Sequence, residues 1–214
     1  MAKKYEFTGE TKVWFGFTLH RIRAVISFGK VEAGELGGWI EEEENLSHYD
    51  SAWVCDNALV YDNARVYDNA WVCDNALVYD NAWVCDNARV CGNARVCDNA
   101  LVCGNALVCD NALVCGNALV YDNARVWQTN HYLCIGPIGS RFDFTTFFRA
   151  KGKEIRVKCG CFHGDIDTFA LKVQATHGDN QHAKAYMAAV ELAKLQIDLT
   201  EEDPEVPKRE NDNG

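Results

Sequence analysis

The chain has 214 residues, a hydrophobic fraction of 48 % and a formal net charge of -10. That is enough apolar material for one domain or two small ones, and the wrong sign for direct binding to a phosphate backbone, which needs clustered Lys and Arg. No apolar run reaches the ~18 residues of a membrane-spanning helix, and residues 1–7 lack the apolar stretch of a signal peptide, so a cytoplasmic protein without membrane contact is expected.

In chain order, residues 4–7 and 12–28 read as β-strands joined by a turn at Gly9 and Glu10, with a Gly-rich segment, 34–39, behind them. This first region, residues 1–50, is expected to cap the repeats that begin behind it, because the open end of a stacked β structure exposes unpaired strand edges. The acidic run 41–44 reads as a solvated loop.

From Val54 to Arg125 the sequence is twelve consecutive copies of V-x-[D/G]-N-A-x. A period of six with two apolar positions two apart is the pattern of a parallel β-helix, whose units cannot bury their own faces and must stack. Side chains alternate along A-x-V, so Ala and Val share one side and the variable residues the other. Arg65, Arg89, Arg95 and Arg125 occupy variable positions, and unpaired guanidinium groups inside a narrow coil would be prohibitively costly, so Ala and Val point inward. Asn at each corner is read as the residue that adopts positive φ, and the corner Asp residues as acceptors of local backbone amides. Three hexads make one turn, giving about four regular turns over residues 51–135 and a rod of about 20 Å.

The hexads resemble the left-handed β-helix of the hexapeptide-repeat acyltransferases. The lead-in, with Leu19-His20-Arg21-Ile22-Arg23-Ala24-Val25, Gly34-Glu35-Leu36-Gly37-Gly38-Trp39-Ile40 and Glu44-Asn45-Leu46-Ser47, resembles uncharacterised hexapeptide-repeat proteins of phages and bacteria, some of them transferase-like. The resemblance spans residues 19–135 and implies a left-handed parallel β-helix, and through the acyltransferases a trimer. Catalysis in those enzymes implies a histidine base beside the coil. Between Val54 and Val126 there is no His, Lys, Glu or insertion; the nearest histidines, His48 and His131, stand at the two ends and read as capping or surface residues. No threonine lies in that stretch either, which removes the Thr ladder of an ice-binding face.

Beyond Trp127 the composition changes, and a small α+β domain is expected over residues 136–199, followed by a disordered charged tail, 200–214. Residues 142–149 and 154–160 read as a hairpin around Lys151-Gly152-Lys153. A first helix is capped by Asp165 or Asp167 and buries Ile166, Phe169, Ala170 and Val173; a second, 181–197, turns Ala183, Tyr186, Val190, Ala193 and Ile197 inward. This unit resembles C-terminal domains of the same phage and bacterial proteins through Gly139-Ser140-Arg141, Cys159-Gly160-Cys161-Phe162 and Thr176-His177-Gly178-Asp179-Asn180.

Three sets of residues are candidates for function. Ser140, Arg141, Asp143, Thr145 and Thr146, with His177, Asp179 and Asn180, could hold an anionic small molecule through one guanidinium and several hydroxyl or amide donors. Cys159, Cys161, His177 and His182 form a conceivable zinc set, although C-x-C departs from the usual C-x2-4-C and two thiols on one strand face serve core packing equally well. Cys161 with His177 would be the pair of a thiol enzyme. The third set is an interface.

Of the twenty-four outward positions of the hexads, eight are Cys, four Tyr, six Leu, two Trp and four Arg. Sorted by eighteen, Leu59, Tyr61, Leu77, Tyr79, Cys97, Leu113 and Cys115 fall on one face together with Arg95, an apolar patch larger than a monomer ordinarily leaves exposed. The expectation is a non-catalytic binding or scaffolding protein: a homo-oligomer, most simply a trimer, without cofactor, whose C-terminal domain engages a host protein or an anionic small molecule. A divergent acyltransferase, a thiol enzyme and a plain spacer are the alternatives.

Overall fold

Every repeat Ala from Ala58 to Ala124 and every Val from Val54 to Val126 is buried. In the computed structural model, which describes residues 3–203, each such Val closes a two-residue strand, from β4 (Trp53–Val54) to β16 (Arg125–Val126). Successive strands turn away from each other and pair in parallel with the strand eighteen residues on, as Arg89 with Leu107 and Val90 with Val108. The result is a three-faced parallel β-solenoid of about five turns. Each buried Val contributes about 1.5–3 kcal/mol, and no strand survives without its neighbours above and below.

The corners correct the sequence reading. Asp, not Asn, takes the left-handed conformation, with φ between 52° and 60° at Asp50, Asp56, Asp62 and the later corner aspartates, and Gly92, Gly104 and Gly116 stand at the same position. Asp is one of the few residues besides Gly that is enriched in that region. Its carboxylate reaches the next turn of the solenoid and not a local amide: Asp74 accepts from the Gly92 N–H at 2.8 Å and Asp98 from the Gly116 N–H at 2.8 Å. Asn side chains instead ladder along the edges, Asn75 donating to Asn93 at 3.4 Å and Asn93 to Asn111 at 3.3 Å.

The N-terminal region forms a long hairpin, β1 (Tyr5–Trp14) and β2 (Phe17–Ala24), followed by β3 (Leu36–Ile40). Its turn is at Phe15 and Gly16, both with positive φ, and not at Gly9, where the register shifts in a bulge. Two successive positive-φ residues match the twist of a hairpin. β2 pairs antiparallel with β3, and β3 pairs parallel with the first repeat strand of its face, Trp39 opposite Leu59. Gly38 allows that approach: a Cβ there would stand 2.8 Å from the Ala58 carbonyl oxygen and from Val54.

At the other end the chain forms a four-stranded antiparallel sheet, β17 (Tyr132–Ile138), β18 (Asp143–Ala150), β19 (Glu154–Cys159) and β20 (Phe162–Asp165), with α1 (Ile166–His177) and α2 (Gln181–Gln196). β17 begins four residues ahead of the boundary expected at 136. β18 is buried on both sides: Phe148 packs in the solenoid core and Phe147 in that of the C-terminal unit. The hairpin of β18 and β19 closes the last turn through Lys151 N–H to the Asn123 carbonyl at 3.0 Å and Arg156 to Asp122 at 3.1 Å. The start of the expected tail is held in place: buried Arg149 bonds the Asp198 carbonyl and Asp203, and Trp127 Nε1 donates to Glu201. Residues 204–214 lie outside the described residues.

The seven residues read as an exposed interface share one face, as the period of eighteen requires, but are not equally accessible. Leu59 and Tyr61 are covered by the chain's own Trp14 and Phe17, and Cys97 is buried between its neighbours. Leu77, Tyr79, Leu113 and Cys115 are half-buried. Six of the eight repeat cysteines, Cys55, Cys85, Cys91, Cys97, Cys103 and Cys109, are likewise buried within the chain itself, because a short thiol in a stacked column is shielded from above and below. The apolar patch is therefore smaller than a count of uncharged residues implies.

Candidate functional site

The turns β17–β18 and β19–β20 meet α1 and α2 around an open cavity of about 360 Å³. Each wall follows from local sequence. Gly139, at φ 72°, turns the chain so that Ser140 and Arg141 face the cavity, and a Cβ there would overlap Tyr186 at 2.0 Å. Gly160, at φ 55°, makes the second turn and leaves room for the Arg141 guanidinium, whose Nη1 would be 3.1 Å from a Cβ. The helix presents Phe169, Lys172, Val173, Thr176 and His177 from one side, the i, i+3, i+4 spacing of a single face. Asp165 starts it, accepting from the Thr168 N–H at 2.8 Å.

The floor is aromatic. Phe169 packs edge-on to Tyr186 with centroids 5.6 Å apart, and the Lys172 ammonium lies 5.1 Å from the Phe162 ring centre. Burial and the neighbouring Cys159 push the Tyr186 phenol up to about 12, so it remains protonated. The Cys159 sulfur lies 3.8 Å from the Tyr186 hydroxyl oxygen. The lining carries Arg141, Lys172 and His177 and no Asp or Glu, an unusual composition on a chain with a net charge of -10.

Of the residues picked from sequence, Ser140, Arg141 and His177 line this cavity together with Cys159 and Cys161. Thr145 and Thr146 do not: both are fully buried in β18, where Thr145 donates to the Cys159 sulfur at 3.2 Å and Thr146 accepts from the Leu119 N–H at 3.0 Å. Thr146 ties the sheet to the solenoid and Thr145 ties β18 to β19, and neither is accessible to a ligand. Asp143 binds its own neighbour's amide, Asp179 accepts from Gln174, and Asn180 caps α2 through the Ala183 N–H at 3.0 Å. The zinc set does not gather. Cys159 is turned inward, Cys161 is exposed, and the His177 and His182 rings are 5.9 Å apart. Among the described residues, three ligating atoms come within 4.8 Å of one another only at Cys55–Asp56–Cys73 and Cys85–Asp86–Cys103.

A larger hollow, about 660 Å³, lies at the N-terminal end against Arg65 and Tyr67, with His48, Lys3, Glu43 and Glu44 on its rim. Its two cations are matched by two carboxylates. The His48 Nδ1 accepts from the Lys4 N–H at 3.2 Å, which places the ring proton on Nε2, facing Glu43 at 3.7 Å, and leaves no free basic nitrogen. His131 is not a surface residue: it is fully buried in the turn after the last coil and accepts from the Trp127 N–H at 3.4 Å. Size alone would favour the N-terminal hollow; charge and donor chemistry favour the C-terminal cavity.

The YdcK β-solenoid repeat family matches the chain at residues 60–74, 70–86, 88–104 and 94–110. These segments lie within the solenoid and support a repeat β-helix protein. No curated protein matches the chain.

Proposed function

We propose that this β-solenoid protein is a non-catalytic binding protein whose C-terminal cavity takes a small anionic molecule. The observation that carries the reading is the lining: Arg141, Lys172, the His177 imidazole and the hydroxyls of Ser140, Thr176 and Tyr186 around an aromatic floor, without a carboxylate. An anion with a flat apolar part would pair with the guanidinium in a fork and rest on Phe162 and Phe169. The solenoid is the stiff support and, through the uncharged outer residues of its faces, the surface for self-association. A left-handed hexapeptide-repeat trimer of phage type, working in the cytoplasm on a host metabolite or host factor, is the finer form of the proposal and rests on resemblance.

Cys161 and His177 share the cavity wall, which keeps a thiol-enzyme reading in view. Among the described residues no hydrogen bond joins them, whereas such a pair needs one to activate the thiol. The separating experiment titrates the full chain with a panel of nucleotides and acyl-CoA esters and then assays turnover. Affinity that is lost in Arg141→Ala, with no turnover, supports the proposal; turnover of a bound compound, or binding that Arg141→Ala leaves intact, overturns it.

A further inference from the structure

In a parallel solenoid with an eighteen-residue register, residues eighteen apart stack directly, so a Cys-Asp corner followed by a Cys eighteen positions on can bring two thiols beside one carboxylate, as two of the four such corners do. Cys85, Asp86 and Cys103 meet this condition, with two sulfurs and a carboxylate oxygen all within 4.8 Å. Asp86 is directed along the column: its Oδ2 accepts from the Gly104 N–H at 3.0 Å, in the turn that carries Cys103. Both cysteines are buried and Asp86 is exposed, so the thiols are shielded while the carboxylate side stays open to an ion arriving from solvent.

We propose that Cys85, Cys103 and Asp86 form a Zn2+ site on the flank of the solenoid, with water completing a tetrahedron. Zn–S near 2.3 Å and Zn–O near 2.0–2.2 Å correspond to ligand atoms about 3.5–3.9 Å apart in a tetrahedron, so the observed cluster needs side-chain closure of up to about 1 Å and no backbone change. Two thiolates exclude Mg2+ and Ca2+, and the carboxylate favours Zn2+ over Cu+. Binding displaces one proton from each thiol to solvent. The similar group Cys55–Asp56–Cys73 is the weaker site, because the Cys55 thiol is already donated to the Val72 carbonyl at 3.7 Å.

The test uses the full chain, reduced and stripped with chelator, titrated with Zn2+ against a chromophoric competitor and with Co2+ to read the thiolate charge-transfer band. The tightest equivalent and the band should vanish in Cys85→Ser and in Cys103→Ser, weaken at least tenfold in Asp86→Asn, and persist in Cys159→Ser/Cys161→Ser. Asp86 is exposed, so its variant reads the site even where a serine in the column prevents folding. Absence of a charge-transfer band in the wild-type chain, no effect of Asp86→Asn, or loss of the site on changing Cys159 and Cys161 would overturn it. None of these outcomes depends on whether the C-terminal cavity binds an anion.

Discussion

Gly139 sets the geometry of the C-terminal cavity through two separate constraints, and Gly139→Ala tests both. The residue sits at φ 72°, and an added Cβ would lie 2.0 Å from the Tyr186 hydroxyl and ring carbon Cζ. Holding Ala in the left-handed region costs about 1–2 kcal/mol. Relieving the overlap requires Tyr186 to move by more than about 1 Å against Phe169 and His177, an overpacking cost of about 1–3 kcal/mol. The expected loss is therefore about 2–5 kcal/mol. The two α-helices of the described residues both belong to this unit, so the helical far-UV signal during urea unfolding reports it without interference from the solenoid. In a Tyr186→Leu background the steric part should disappear, leaving only the conformational part of about 1–2 kcal/mol. An equal cost of Gly139→Ala in both backgrounds would refute the contact between this turn and the cavity floor.

Thr146→Val keeps the shape of the side chain but leaves the Leu119 amide without its acceptor, which should cost about 1–3 kcal/mol and speed amide exchange at Leu119; unchanged exchange would place that amide's protection elsewhere. The His131 imidazole is held below its ordinary pKa by burial first and by the nearby Arg149 second. Below the usual 6.5 the unfolded chain therefore gains a proton that the folded one refuses, so stability is lost as pH falls through that range. His131→Asn should flatten this part of the profile, and a profile parallel to that of the wild type would count against it. For self-association, Leu77→Glu with Leu113→Glu should dissociate the assembly in light scattering under reducing conditions. A wild-type monomer at micromolar concentration would rule out the proposed interface.

Much of the fold can be read from the hexads, because one physical constraint decides each inward position: Ala and Val fill a coil too narrow for the arginines that alternate with them. The corners are harder to read. Asp-Asn offers two residues tolerant of positive φ, and only the stacked geometry, in which the Asp carboxylate reaches the next turn's amide, selects Asp56 over Asn57 and its equivalents. The N-terminal turn differs from the sequence reading because Gly9-Glu10 is a stronger local turn signal than Phe15-Gly16, while Gly9 serves a bulge.

In the C-terminal unit, Ser140, Arg141, Cys159, Cys161 and His177 are legible from glycine-flanked polar residues. Lys172 and Tyr186 are not, because they reach the cavity from helix faces whose orientation depends on packing. Thr145 and Thr146 mislead for a related reason. β18 lies between the solenoid and the helices, so even its hydroxyl residues are interior, and the run Thr145-Thr146-Phe147-Phe148 without alternation is the signal of burial on both faces.

Whether the C-terminal cavity is the place where an anion is held can be read by amide chemical-shift mapping of the isotope-labelled full chain, with whichever nucleotide or acyl-CoA ester binds in the panel. Perturbations are expected to concentrate at Ser140 and Arg141, at Cys159 to Phe162 and at Lys172 to His177, and to be absent in Arg141→Ala. Perturbations centred on the solenoid corners or on the hollow beside His48 would contradict the assignment of the cavity as the binding site.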